Sequence, residues 1–478
     1  MRFLQAGLII LFVSASFVFA QKKAQSFDKD LPSWTKKTGA RKEPKSKKVF
    51  SANSFGAKGD NATNSTKAIQ TAIDEAAKKG GIVTFEKGIY VTGALFVKSN
   101  VHLKIDEGVT LLASHDESEY PRKPTRIAGI EMTWLSALIN VENAENVKIS
   151  GLGVIDGNGQ KWWDKYWALR KEYEPKGLRW ASDYDAERVR LMVVSNSKDV
   201  TIENLSLKRS GFWTVQILYS EYVTTDGLKI SDNGGPSTDG VDVDSSRYVL
   251  IQNCDIDNND DDICLKAGRD FDGLRVNRPT EFVFIRDNLI RRGSGIVSIG
   301  SETSGGIRHV VALNNRGIGT SNAVRLKSAK TRGGFIKDVL VRGLKLENVI
   351  NPFSFTLNWN PSYSYASIPR EITTYPDFWK VMTTQVLPVE RGYCDIQNIR
   401  IENVDATGAK RIFTADGLPD KFIQNVAFTN ISAEGNESGV IEFAKDWKMQ
   451  NVKLKTPNGE PVKISNSRNV DAPEVSKK

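Results

Sequence analysis

The sequence predicts an all-β solenoid, a right-handed parallel β-helix with an N-terminal capping helix. Three observations carry this. A short string of the form apolar–any–apolar–any, often closed by Asn, recurs along the chain. Most of its copies recur at similar intervals, two intervals being about double the rest, and no long helical pattern separates them. The copies are Val147-Lys148-Ile149, Val200-Thr201-Ile202-Glu203-Asn204, Val249-Leu250-Ile251-Gln252-Asn253, Val283-Phe284-Ile285 and Val310-Val311-Ala312-Leu313-Asn314. Later ones are Val339-Leu340-Val341, Ile399-Arg400-Ile401-Glu402-Asn403, Val426-Ala427-Phe428-Thr429-Asn430 and Val452-Lys453-Leu454, with a weaker copy at Val223.

The starts lie 53, 23, 26, 34, 27, 29, 60, 27 and 26 residues apart. Alternation with period two marks a strand with one buried face. Recurrence every 25 or so residues marks stacked coils, each made of short strands joined by turns rich in Gly, Asn and Asp. The Asn after each string suits a left-handed turn position or a ladder of side-chain hydrogen bonds between coils. The period is too short for propeller blades, and the leucine pattern of a leucine-rich solenoid is missing.

The elements follow in chain order. Arg2 followed by the apolar run from Leu4 to Phe19, with Val18-Phe19-Ala20 at its end, predicts a signal peptide over residues 1–20, cleaved before Gln21. This implies a secreted or periplasmic protein. Residues 21–48 hold ten Lys or Arg against three Asp or Glu, and so carry most of the net charge of +9. They read as a basic, flexible leader. The remaining body is close to neutral, so an acidic partner must be recognised by a local site rather than by a global field.

Residues 49–470 read as one β-helix domain. Near its start, residues 65–79 predict a helix with Ser65 or Thr66 at its N-cap and Ile69, Ala72, Ile73 and Ala76 on one face. It would cover the apolar end of the solenoid. Insertions near residues 156–190 and 352–394 carry many aromatic residues, among them Trp162, Trp163, Trp167, Trp180, Phe353, Phe355, Trp359, Tyr363 and Trp379. Aromatic faces suit the apolar faces of sugar rings. Cys254, Cys264 and Cys394 are too few and wrongly spaced for a disulfide scaffold or a zinc site, and read as buried small residues.

The chemistry is expected where carboxylates crowd: Ser237-Thr238-Asp239-Gly240-Val241-Asp242-Val243-Asp244, then Asn259-Asp260-Asp261-Asp262. Asp239 and Asp260 are 21 residues apart, roughly one coil, so the stack should bring them to one patch. Crowded carboxylates keep one of their number protonated, and an acid beside an ionised base is what glycosidic cleavage needs. The bland alternatives are a calcium site or a solvated acidic turn. Downstream, Arg325-Leu326-Lys327 places two cations on one strand face, a clamp for a substrate carboxylate.

Together these residues resemble the polygalacturonase family, glycoside hydrolase family 28, on the pectin-lyase-like solenoid. The resemblance covers about residues 50–460. It begins at Phe55-Gly56-Ala57-Lys58-Gly59-Asp60 and continues through Gly153-Val154-Ile155-Asp156-Gly157-Asn158-Gly159 and Trp162-Trp163. The family's Asn-Thr-Asp is matched by Ser237-Thr238-Asp239, its Asp-Asp pair by Asp260-Asp261 with Lys266-Ala267-Gly268 following, and its Arg-Ile-Lys by Arg325-Leu326-Lys327.

The resemblance implies inverting hydrolysis of a galacturonic-acid-containing pectin backbone. Asp260 is then the general acid, and Asp239 and Asp261 activate the water. Arg325 and Lys327 contact the uronate, and Trp359 stands where the family has a tyrosine. An inverting acid and base stand roughly 6.5–9.5 Å apart. No metal or organic cofactor, membrane or nucleic acid is implied, and the protein is expected as a monomer. The family's Gly-His-Gly is Gly293-Ser294-Gly295 here, with Ser294 left to bond a carboxylate or sugar. Relatives that cut rhamnogalacturonan also lack that histidine, so the substrate is homogalacturonan or rhamnogalacturonan. The alternatives are a polysaccharide lyase, which would use calcium and an Arg or Lys base, and a non-catalytic carbohydrate-binding β-helix. The length of the insertions favours exo attack by walling off one end of the groove.

Overall fold

The computed structural model describes residues 27–478; the signal peptide expected over residues 1–20 lies outside them. Thirty-four strands form one continuous sheet wound into a solenoid, and every paired strand in it runs parallel to its neighbour in the next coil. The recurring valines form one interior column. Val147, Val200, Val223, Val249, Val283, Val310, Val339, Ile399 and Val426 are successive register partners. All are buried. The weak copy at Val223 is therefore a full member. The last copy is not: Val426 pairs with Trp447, whereas Val452 pairs with Ile431 on the next face. An indole fills the space of a valine at this end of the column, which hides the repeat.

The Asn residues that close the strings serve both expected purposes. Asn204, Asn253, Asn314, Asn403 and Asn430 all adopt left-handed backbone, with φ between 54° and 58°. Asn tolerates that region better than other residues with a side chain. Between coils, Asn451 Nδ2 donates to Asn430 Oδ1 at 2.8 Å, and Asn430 Nδ2 to Asn403 Oδ1 at 3.1 Å.

Helix Thr66–Ala77 buries Ile69, Ala72, Ile73 and Ala76 as the spacing predicts. It packs on the first strands, Val49–Ser51, Gly81–Thr84, Leu95–Val97 and Val101–Lys104. Its capping differs from expectation. The Ser65 hydroxyl turns to Lys58, and Asn64 Oδ1 accepts from the Thr66 amide at 3.0 Å.

The two long intervals hold insertions. The first carries helix Gln160–Tyr173 and the short helix Ser182–Asp185, the second the helices Pro361–Ser364 and Asp377–Thr383. Phe353 and Phe355, counted with the second insertion on sequence, belong to strand Asn351–Thr356 and are 1% exposed core residues. An antiparallel hairpin, Arg122–Ile127 with Ile130–Leu135, is a third insertion. It escaped the repeat count because it precedes the first counted copy. All three cysteines are buried and unpaired.

Residues 27–48 depart from the flexible leader expected. They lie along the body. Phe27, Leu31 and Trp34 cover an outward apolar patch of Phe284, Val311, Leu313 and Leu340. The Arg41 guanidinium sits 3.4 Å from the centroid of Tyr222, and its amide donates to Asp199 Oδ1 at 2.8 Å. Composition records the lysines of this strap and not the few apolar residues spaced among them. Since a fully buried aromatic contributes about 1.5–3 kcal/mol, the half-buried Trp34→Ala should lower stability by about 1–2 kcal/mol. A calorimetric Tm a few degrees down is the expected readout, and an unchanged Tm would show that the strap contributes nothing.

Candidate active site

Four consecutive coils supply the strands Val241–Asp244, Ile263–Lys266, Val297–Ile299 and Asn322–Lys327. Parallel register aligns Asp242, Cys264, Ser298 and Arg325 across them. Asp239, Asp260 and Asp261 come just before the first two of these strands. The Gly240 amide donates to the Asp261 carbonyl at 2.9 Å, and Asp261 bridges to Gly295 in the next coil. The coil offset here is 22 residues rather than the 21 that would stack Asp239 on Asp260, so Asp239 lies beside Asp261.

All three carboxylates line one small cleft of about 70 Å³, together with Lys266, Glu302 and Lys327. Its walls come from the insertions: Arg179 and Asp183 from the first, Trp359 and Tyr363 from the second, and Ala128 from the hairpin. The two insertions also dock on each other. Trp180 stacks edge-on to Trp379 at 4.9 Å, its Nε1 donates to the Ser367 carbonyl at 3.1 Å, and Arg179 lies 5.1 Å from the Tyr363 ring centre. Trp162, Tyr166 and Trp180 are buried supports; Trp167 is exposed.

The charges sort into two groups. Asp261 is buried and held on every side. Lys327 Nζ donates to Oδ2 at 2.5 Å, Arg325 Nη1 to Oδ1 at 3.2 Å and Ser298 Oγ to Oδ1 at 2.6 Å. Burial alone would raise its pKa, but Lys327, Arg325 and Lys266 outweigh burial and keep it ionised far below the usual carboxylate range. Asp260 is the most open of the three and moves the other way, raised by burial and by the neighbouring Asp261 charge.

The second group surrounds Lys266. Its Nζ lies 3.3 Å from Asp239, 3.4 Å from Asp242 and 3.7 Å from Glu302. Burial, then Asp242, raise Asp239 well above its ordinary value, against the pull of Lys266. Burial pushes Asp242 up to about 7, again against Lys266. Among the described residues no hydrogen bond is made to either Asp242 oxygen, and the Lys266 ammonium 3.4 Å away is the cation nearest to it.

The remaining predicted residues fall less centrally. Trp359 lines the cleft, with Lys327 Nζ 4.6 Å from its ring centre. Arg325 reaches Asp261 and stands 5.9 Å from Trp359 without lining the cleft itself. Ser294 is outside the cleft wall; its amide donates to the Asp260 carbonyl at 2.8 Å and its carbonyl accepts from Asn322. It positions the Asp260 backbone, and its hydroxyl bonds to no carboxylate. Asp242, Lys266 and Glu302 were within quoted motifs but given no role, while Arg179 and Asp183 had no signal beyond their place in an insertion.

Asp239, Asp261 and Cys264 present ligand atoms within 4.8 Å of one another, near enough for a metal. The ammonium groups of Lys266 and Lys327 already sit on those carboxylates, and a divalent ion would have to displace them.

A family description, glycosyl hydrolases family 28, matches residues 96–367, and a rhamnogalacturonase A/epimerase, pectate lyase-like description matches residues 49–114. A probable polygalacturonase of Vitis vinifera is 32% identical over 64% of this chain; the match spans 62% of that relative's length. An exo-poly-alpha-D-galacturonosidase of Dickeya chrysanthemi is 25% identical over 85% of this chain and 70% of its own. The crystal structure of a hyperthermoactive exopolygalacturonase from Thermotoga maritima superposes with TM-score 0.73 at 25% identity, covering 92% of this chain and 96% of that one.

Asp262 lies outside the cleft. It is buried, no hydrogen bond from the described residues reaches its carboxylate oxygens, and burial followed by the Asp261 charge raises it well above the ordinary range. Asp239, Asp242 and Asp262 thus bind protons in the folded state that the unfolded chain releases. Their contribution is present below the ordinary carboxylate pKa and is lost as pH rises toward and beyond neutrality. Asp262→Asn keeps the shape and removes one such group. It should raise Tm by a few degrees at mildly alkaline pH and leave it nearly unchanged in acid. A calorimetric pH series checks this; an equal shift at every pH would refute it.

Proposed function

The chain belongs to glycosyl hydrolase family 28, and from that premise we propose that it is an exported, exo-acting glycosidase that hydrolyses the galacturonan backbone of pectin with inversion. The observation that carries the reading is the opposed state of adjacent Asp260 and Asp261, one raised toward the protonated form and one held ionised on the floor of a single cleft. An acid and a base at the same bond are the requirement of single displacement.

In this reading Asp260 gives its proton to the leaving glycosidic oxygen as the bond to the anomeric carbon breaks. Water attacks that carbon from the opposite face and loses a proton to Asp261, while Asp239 holds the water in place. Lys327 and Arg325 meet the uronate carboxylate, and Trp359 offers a ring face to the sugar. The chemistry asks for no metal, and cations from the protein already fill the carboxylate cage, which favours hydrolysis over a calcium-dependent lyase. Contact between the two insertions supports attack from a chain end, since it brings Arg179, Asp183 and Tyr363 together as a wall of the cleft. The names of the Dickeya and Thermotoga relatives agree with that mode. For export, the support is the N-terminal sequence; no helix among the described residues is long and apolar enough to cross a membrane.

Incubation with polygalacturonate should release monogalacturonate from the start, with the inverted anomer seen first by proton NMR. Random oligomers would refute the exo mode, and the retained anomer the mechanism. Asp260→Asn should lower kcat by about 10²–10⁴-fold, the range for losing a general acid, with KM nearly unchanged. Normal turnover in that variant would remove Asp260 from the mechanism.

A further inference from the structure

Asp261 is held too well for the task assigned to it. Both oxygens are taken: Oδ2 by Lys327, Oδ1 by Arg325 and Ser298. Lys266, Cys264, Asp239, Asp242, Asp260 and Asp262 complete the titratable groups around it. A buried carboxylate clamped by two cations is a poor proton acceptor, because protonation would break both ion pairs in a medium that screens them weakly. Something must loosen the clamp before water is deprotonated.

The cleft offers few other cations to an incoming uronate. Arg179 is committed to Asp183 at 3.0 Å, and Lys266 is ringed by Asp239, Asp242 and Glu302. Lys327 lines the cleft beside Trp359, and Arg325 keeps an 18% exposed side chain. The two residues best placed to receive a substrate carboxylate are the two that restrain Asp261.

We infer that the substrate's own carboxylate switches on the base: it draws Lys327 and Arg325 from Asp261 and so restores the basicity that Asp261 needs to accept the water proton. The inference rests on the hydrolytic reading of the cleft and adds to it a basis for uronate specificity. A carboxylate that only anchored the sugar would lower KM; one that also frees the base raises kcat. Neutral rings, including the methyl ester of galacturonate, leave the clamp shut.

The test compares polygalacturonate with its fully methyl-esterified form near neutral pH, for the wild type, Lys327→Met and Arg325→Gln. The wild type should turn over the ester with a much lower kcat than the acid. Removing a cation opens the clamp without help from substrate. Each variant should therefore raise kcat on the ester several-fold above the wild-type value and raise KM on polygalacturonate. A gain in turnover from deleting a cation is not expected of a residue that only binds or only supports the fold. Should Lys327→Met fail to fold, Arg325→Gln, which reaches Asp261 through one oxygen only, decides the matter. Unchanged or lower kcat on the ester in the folded variants overturns the inference. A wild type inactive on polygalacturonate would instead refute the hydrolytic reading itself.

Discussion

Parallel register between coils is the constraint on which the rest of this molecule depends. Each strand hydrogen-bonds to its equivalent one coil away, so a residue's neighbours are set by coil number rather than by sequence distance. Inside, this stacks valine on valine. Outside, it stacks Asp242 on Cys264, Ser298 and Arg325, and brings Asp239 to Asp261. Single slips in register would turn every interior valine outward and scatter the carboxylates. The interior column therefore fixes the chemistry of the outer face as firmly as it fixes the core.

Crowding acids in this way is costly unless cations or protons balance them. At the cleft, Asp239, Asp242, Asp260, Asp261 and Glu302 face Lys266, Lys327 and Arg325. The cations are not shared evenly. Asp261 takes two at close range and Glu302 is held ionised mainly by Lys266 against its own burial. Asp239 and Asp242 are left to divide what remains, and Asp260 has no cation bonded to it. Protons settle where cations are lacking. The sorting of acid from base thus follows from which coil delivers each lysine and arginine, and needs no special property of any one aspartate.

Much of this was legible in the sequence because it follows period and spacing. The valine column, the left-handed Asn positions, the amphipathic helix and the convergence of the acidic strings on one patch all depend on intervals that can be counted, although the true offset of 22 puts Asp261 rather than Asp260 beside Asp239. Other features depend on partners supplied from outside the repeat. Trp447 replaced a valine and broke the pattern. The hairpin that carries Ala128 to the cleft lies before the first counted copy, and the strap over Phe284 and Leu340 was masked by its lysines. Lys266 could be quoted in a motif, yet its three carboxylate partners come from two other segments, Asp239 and Asp242 from one and Glu302 from another, and become visible only when coils stack.

Ser294 shows how far the same reasoning extends. Where the family pattern has a histidine, the serine lies off the cleft wall, with its amide on the Asp260 carbonyl and its carbonyl held by Asn322. Its backbone therefore still links the acid's coil to the next. A titrating ring is what the position lacks, and with it one means of adjusting the charge beside Asp260 and Asp261. That burden passes to groups that remain: the Lys266 ammonium between Asp239 and Asp242, and the Lys327–Arg325 clamp on Asp261. Without that histidine, the charge state of Asp261 is set by Lys327, Arg325 and Lys266.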